Sequence, residues 1–198
     1  MVFGLWKRRK DMTPFAMYQS VMDQARQPVF YADWGVPDTI EGRFDMLITH
    51  AVLALRRLKI VDPSRAEEAA DRSQSLTDVL FKDLDRALRE TGVGDVSVPK
   101  KMNKLASAFY GRGKSYGEAL DARDEAALAD ALARNLATNI TDEADEPRAA
   151  DLMSSALANY LMACDEALAR QADDDVLRGD FGWVSSPATV QRRAGQLE

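Results

Sequence analysis

The chain of 198 residues has one cysteine, Cys164, and one histidine, His50. A single thiol excludes a disulfide framework within the chain and suits a reducing compartment. One His and one Cys cannot build a zinc site, so no metal and no cofactor are expected. Long apolar runs are missing as well. The longest, AVLAL at 51–55, falls far short of the roughly 20 residues a membrane-spanning helix needs. Strand signals are equally scarce: apart from VSV at 96–98, no alternating segment bounded by turns occurs, so a sheet has nowhere to form. The first ten residues, MVFGLWKRRK, set their bases after a short apolar patch, the reverse of a secretory signal, and lack the Arg- and Ser-rich length of a transit peptide. The chain is expected to stay where it is made.

What remains is helical periodicity. A helix is expected from about 14 to 27, closed by Pro28, and VFYADWGVP then reads as a tight aromatic connection. Asp38 and Glu41 have capping-box spacing before a stripe of Ile40, Phe44, Leu47, Ile48, Ala51 and Leu55, giving a helix over about 38–59. Asp62 and Pro63 open another segment, but RAEEAADRSQ is nearly all polar and reads as loosely packed or as a separate turn. From about 74 the stripe resumes through Leu76, Leu80, Leu84 and Leu88, and Gly92 is placed to end it. Pro99 fits a first helical turn; that helix runs towards Leu120, bent or interrupted around Gly111 and Gly113. Two more are expected at 124–139 and 147–172. The fold class is therefore all-α: a single compact domain of six or seven helices at 13–178, between a basic-amphipathic tail (1–12) and an irregular C-terminal tail (179–198).

Charge is unevenly distributed. Residues 1–120 carry 19 basic and 16 acidic side chains, and residues 121–198 carry 7 and 16. Such a two-ended chain can be oriented by an anionic surface or a basic partner, or can simply present solvated faces.

The catalytic inventory is thin. His50 lies beside the apolar stripe with no charged relay at helical spacing, which marks a core histidine. Asp83 and Asp85 stand two apart and face different sides of a helix, with Arg89 one turn from Asp85 and Lys82 one turn from Asp78. Cys164 sits on the stripe of a long helix. AFYGRGKS at 108–115 has the loose spacing of a phosphate loop, which needs a preceding strand to aim backbone N–H groups at a phosphate. Met102, Leu105, Ala106 and Phe109 upstream have helical spacing instead, which favours a helix with glycines where it bends or meets a neighbour over a nucleotide-binding enzyme.

Two basic patches stand out. Lys100, Lys101, Lys104, Arg112 and Lys114 put five bases and no acid into 15 residues, with Phe109, Tyr110 and Tyr116 interleaved. That composition suits a nucleic-acid backbone, a ribosome or lipid headgroups, and equally a solvated face. In the tail, Phe3 and Trp6 precede Lys7, Arg8, Arg9 and Lys10, a small apolar wedge with bases for an anionic membrane, or a disordered end.

Three stretches, YADWGVPDTIEGRFDMLITHAVLALRRL, LTDVLFKDLDRALRETGVGDVSVPKKM and AFYGRGKSYGEAL, together resemble the ubiquinol-cytochrome c chaperone family over most of residues 31–120. The carrying elements are an aromatic run into Pro-Asp-Thr, a Gly-Arg-Phe helix, an Asp-x-Asp-Arg-x-Leu-Arg-Glu helix end, Gly-Val-Gly-Asp and Phe-Tyr-Gly-Arg. Gly113, Lys114, Ser115 and Gly117 depart from the family's more helix-friendly run, and the pattern thins after Thr141. The resemblance implies a non-enzymatic bacterial assembly factor for respiratory complex III that holds newly made cytochrome b. Its place would be cytoplasmic, peripheral at the inner membrane. A second assembly factor and the ribosome are further implied contacts; DNA is not. It also suggests client-binding residues: Phe30, Tyr31, Trp34, Phe109, Tyr110 and Tyr116 near a groove, with Arg43, Asp83, Asp85 and Arg86 orienting its helices or meeting the client.

Overall fold

A computed structural model describes residues 11–136 and 146–184. Within them lie eight α-helices: α1 (Thr13–Ala25), α2 (Pro28–Ala32), α3 (Ile40–Lys59), α4 (Ala66–Glu90), α5 (Val98–Ala122), α6 (Glu125–Leu136), α7 (Glu146–Ala169) and α8 (Asp173–Arg178). Six are long, α2 and α8 are short, and no strand occurs among the described residues, so the all-α reading holds. The basic tail at 1–10, including Phe3, Trp6, Lys7, Arg8, Arg9 and Lys10, lies outside the described residues.

α3 is the axis of the molecule. Its middle, Ile48–Ala54, is buried on every side, as a helix surrounded by α1, α4, α5 and α7 must be. Its cap differs from the expected box: Thr39 is the N-cap and its Oγ1 accepts from Gly42 N at 3.1 Å, while Asp38 pairs with Arg43. Gly42 is obligatory here, because a Cβ would sit 2.0 Å from the Pro37 carbonyl oxygen. Arg56, Arg57 and Lys59 close the helix at its negative end.

Three expectations are corrected. Pro28 does more than stop α1: it starts α2, where a missing N–H costs nothing, and the expected connection is a helical turn that buries Phe30. The polar stretch RAEEAADRSQ belongs almost wholly to α4, which runs unbroken from Ala66 and buries only Ala69, Leu76 and Leu80. A helix needing so narrow an apolar contact reads as polar all round at its start. Arg65 bonds Glu68 and Asp174, and Arg72 bonds Asp11, which ties that polar end down. α5 is uninterrupted through Gly111 and Gly113. Gly113 and Gly117, four apart, instead lie on the side of α5 that faces α3, where an added Cβ would make ordinary contact with Val52 Cγ2 at 3.7 Å and Arg56 Nη1 at 3.6 Å.

α6 and α7 pack side by side, and α7 lays Leu157, Tyr160, Leu161 and Cys164 into the core. After α8 the chain turns at Gly179 (φ +90°), close against Met17, and residues 180–184 run back over the core. Gly182 N donates to Gln171 Oε1 at 2.9 Å, Gln171 Nε2 donates to the Asp180 carbonyl, and Phe181 is buried. Trp183 Nε1 donates to Ser20 Oγ at 3.0 Å.

Candidate functional site

The two aromatic groups named from the sequence do not form one surface. Phe30 and Trp34 are core residues, stacked edge to face at 5.6 Å, and both pack on Tyr160 at 5.2 and 5.8 Å. His50 completes this cluster: Nδ1 donates to the Met46 carbonyl at 2.8 Å, and Nε2 accepts from Tyr160 Oη at 2.9 Å. Gln24 Nε2 in turn donates to Tyr160 Oη at 2.8 Å, so both His50 nitrogens and the Tyr160 hydroxyl are engaged, whereas Trp34 Nε1 in the same cluster is buried without a partner among the described residues. Burial holds the imidazole neutral, its pKa lowered to about 4, and raises both the Tyr160 hydroxyl and the Cys164 thiol, the latter to about 11. These are groups locked into a core, without the access that a base or nucleophile needs.

The other predicted residues separate too. Tyr31 is half-buried and donates to the Ala25 carbonyl at 2.8 Å, with the Arg43 guanidinium 5.8 Å from its ring. Asp83 accepts from Tyr18 Oη at 2.6 Å and from Arg86, which ties α4 to α1. Asp85 pairs with Arg89 at 2.7 Å as its spacing predicts, whereas Asp78 accepts from Gln74. Tyr116 is buried, and Asn135 Nδ2 donates to its hydroxyl at 3.0 Å. Arg112, expected in the basic surface, turns mostly inward: Nη2 lies 2.7 Å from Asp45 Oδ1, with the Asp45 side chain almost wholly enclosed and that of Arg112 14% exposed. Lys100, Lys101, Lys104 and Lys114 are exposed.

Phe109 and Tyr110 do meet an open feature. α4 and α5 diverge over α3, and between the three helices lies a cleft of about 640 Å³. Val52 and Leu55 of α3 and Phe109 of α5 make it apolar; Lys59 and Lys114 stand at its edge. Phe81 meets Phe109 at 5.4 Å, edge to face, linking α4 to α5. Tyr110, 65% exposed, lies against Phe109 and lines the cleft. The volume is in the range of sites that take a compact ligand or the anchoring side chains of a helix.

Sequence reasoning missed α4's share of this cleft. Ala70, Ser73, Gln74 and Thr77 recur at helical spacing on the wall facing α5, small or polar where a packed helix pair would carry Leu or Ile. That stripe of missing bulk is the signal that was legible. Ser73 and Thr77 hydroxyls donate to the carbonyls four residues back, at 2.8 Å each, so neither is an unpaired polar group.

The phosphate-loop reading fails on the backbone. Ala108–Ser115 lies wholly within α5, where the N–H groups are committed to the helix, and Lys114 sits 3.9 Å from Glu118. Among the described residues no three or more His, Cys, Asp or Glu side chains gather at metal-binding distance.

The ubiquinol-cytochrome C chaperone family model matches residues 32–183, three-quarters of the chain. The chain belongs to this family. The crystal structure of the Cbp3 homolog from Brucella abortus is similar, with 39% identity, a TM-score of 0.73, and coverage of 87% of this chain and 89% of that one. No curated protein matches the chain. The family match takes in the whole three-helix cleft and the returning segment as far as Trp183, while α1 lies outside it. The cleft of this chaperone thus lies within the matched residues.

Proposed function

We propose that this chaperone binds newly made cytochrome b and, without catalysis, promotes its assembly into ubiquinol-cytochrome c reductase, the respiratory complex III. The observation that carries the reading is the apolar three-helix cleft lying within the residues that match the chaperone family. An incomplete bundle of membrane helices exposes apolar ridges that aggregate unless covered. A cleft floored by Val52, Leu55 and Phe109 covers one such ridge, with Tyr110 supplying an amphipathic edge. Release requires no nucleotide if the next subunit buries the ridge more completely, so a moderate affinity suffices. We place this work at the cytoplasmic face of the inner membrane, and a second assembly factor or the ribosome would contact surfaces other than the cleft. Phe30, Trp34 and Tyr116 are buried and do not line the cleft, so in this reading they hold the fold and do not meet the client.

Gly113 allows a direct test, because it lines the cleft without a side chain of its own. Gly113→Phe fills the cleft from within, and Gly111→Phe, whose added Cβ has nothing within 4 Å, is the matched control. Cytochrome b recovered with the tagged chaperone from mild detergent is expected to fall about tenfold or more for Gly113→Phe and to stay level for the control. Complex III abundance should follow the same order. Full recovery by a folded Gly113→Phe variant would place the client elsewhere.

A further inference from the structure

The turn between α4 and α5 carries the most exposed large apolar side chain among the described residues, Val96, at 96%. The backbone there is well tied. Ser97 N donates to the Gly94 carbonyl at 2.8 Å, closing a four-residue turn, and the next residue, Val98, is buried and anchors it to the body. An aliphatic group is therefore held out on a fixed tip.

Immediately behind it stand Lys100, Lys101 and Lys104, all exposed. The nearby acids are engaged by other bases: Asp85 and Asp95 with Arg89 at 2.7 Å each, and Glu90 with Arg86 at 3.8 Å. The first turn of α5 holds no acidic side chain. The exposed arginines Arg43, Arg86, Arg170 and Arg178 each have a carboxylate partner, whereas single lysines such as Lys59 and Lys82 have none among the described residues. Among the described residues these three lysines have none either, and they stand together, so the tip combines a cluster of uncompensated positive charge with a projecting aliphatic group.

We propose that this tip is a docking point for an anionic lipid surface. Phosphate headgroups satisfy the lysines, and Val96 gains by entering the acyl boundary beneath them. Single-stranded nucleic acid fits less well. Its binders set aromatic platforms among the bases, and the exposed aromatic on α5, Tyr110, stands six residues beyond Lys104, about 9 Å along the helix, in the cleft. The proposal gives a surface to the membrane-side placement above and rests on that reading only for its setting. The cleft residues Phe109–Gly113 would then lie roughly 14–20 Å along α5 from Lys100, within reach of a segment emerging from the same bilayer.

The test is co-sedimentation of the full chain with phosphatidylcholine vesicles, with and without phosphatidylglycerol. Binding is expected only with phosphatidylglycerol, to weaken on the order of 100-fold when Lys100, Lys101 and Lys104 are all changed to Glu, and to weaken by a smaller factor in Val96→Ser. Every altered position is exposed, and matching thermal melts confirm the folds. Gly113→Phe should bind vesicles as the parent does, which separates this result from the client reading. The proposal is overturned by vesicle binding that ignores phosphatidylglycerol or survives the triple reversal. It is overturned equally if only neutralising Lys7, Arg8, Arg9 and Lys10 abolishes binding, or if polyuridylate is bound through the three lysines while vesicles are not.

Discussion

His50 has no exposed surface, and its two ring nitrogens are satisfied only in the neutral form, one donating to Met46 and the other accepting from Tyr160. With its pKa lowered from 6.5 to about 4, the unfolded chain takes up this proton before the folded one does. Its contribution is therefore complete above pH 6.5 and lost as pH falls towards 4. Asp45 runs the other way: burial raises its pKa from 3.8 to about 6, so ionisation erodes stability as pH rises through that interval. The two oppose each other between pH 4 and 6. In urea titrations of parent and His50→Gln, the stability difference should widen by about 3 kcal/mol from pH 4 to pH 7. A difference independent of pH would mean that His50 titrates normally. The core role of His50 was legible from its apolar neighbours, but the burial of Arg112 was not. Composition counts charges, and only the fold shows that Arg112 faces Asp45 across two helices.

Elements were legible where an apolar stripe was wide and obscure where packing was narrow or short. α3 stands out because its neighbours surround it, whereas the first turns of α4 touch the body on one side and α2 is only five residues long. The glycines of α5 misled for a physical reason: a glycine in a helix lowers its propensity by only about 1 kcal/mol, which the packing of α5 on α3, α4 and α6 outweighs. The same α3–α5 seam contains the Asp45–Arg112 pair, with the guanidinium 5.8 Å from the Phe44 ring. Arg112 Nε is buried without a bond, so the pair is not fully satisfied even when intact. Removing one partner leaves the other charge enclosed and alone. Arg112→Met is expected to cost about 3–5 kcal/mol, and adding Asp45→Asn should restore part of that loss. A double-mutant cycle by urea denaturation checks it: strict additivity of the two losses would show that the groups do not act as a pair.

At the scale of the whole molecule, the charge imbalance along the sequence is folded back on itself. Asp121 and Asp165 meet Arg56, Asp173 meets Arg57, and Asp174 meets Arg65, so acids of the second half serve as counter-ions for bases of the first. A running count of charge cannot reveal this, because it depends on which ends the topology brings together. The same closure gives structural value to the residues following α8, a region without an apolar stripe. Phe181 is buried, Trp183 packs on His50 at 5.5 Å and bonds Ser20, and Gly179 fits against Met17 where a Cβ would lie 2.8 Å from that side chain. We place the end of the folded unit at or beyond Val184 and not at Arg178. Two truncated chains separate these alternatives. Ending the chain after Arg178 removes Phe181 and Trp183 and uncovers the aromatic cluster, at an expected cost of at least about 3 kcal/mol. The chain ending after Val184 retains every one of those contacts. A melting temperature clearly lower for the shorter chain is the expected result, and equal melting of the two would return the boundary to Arg178.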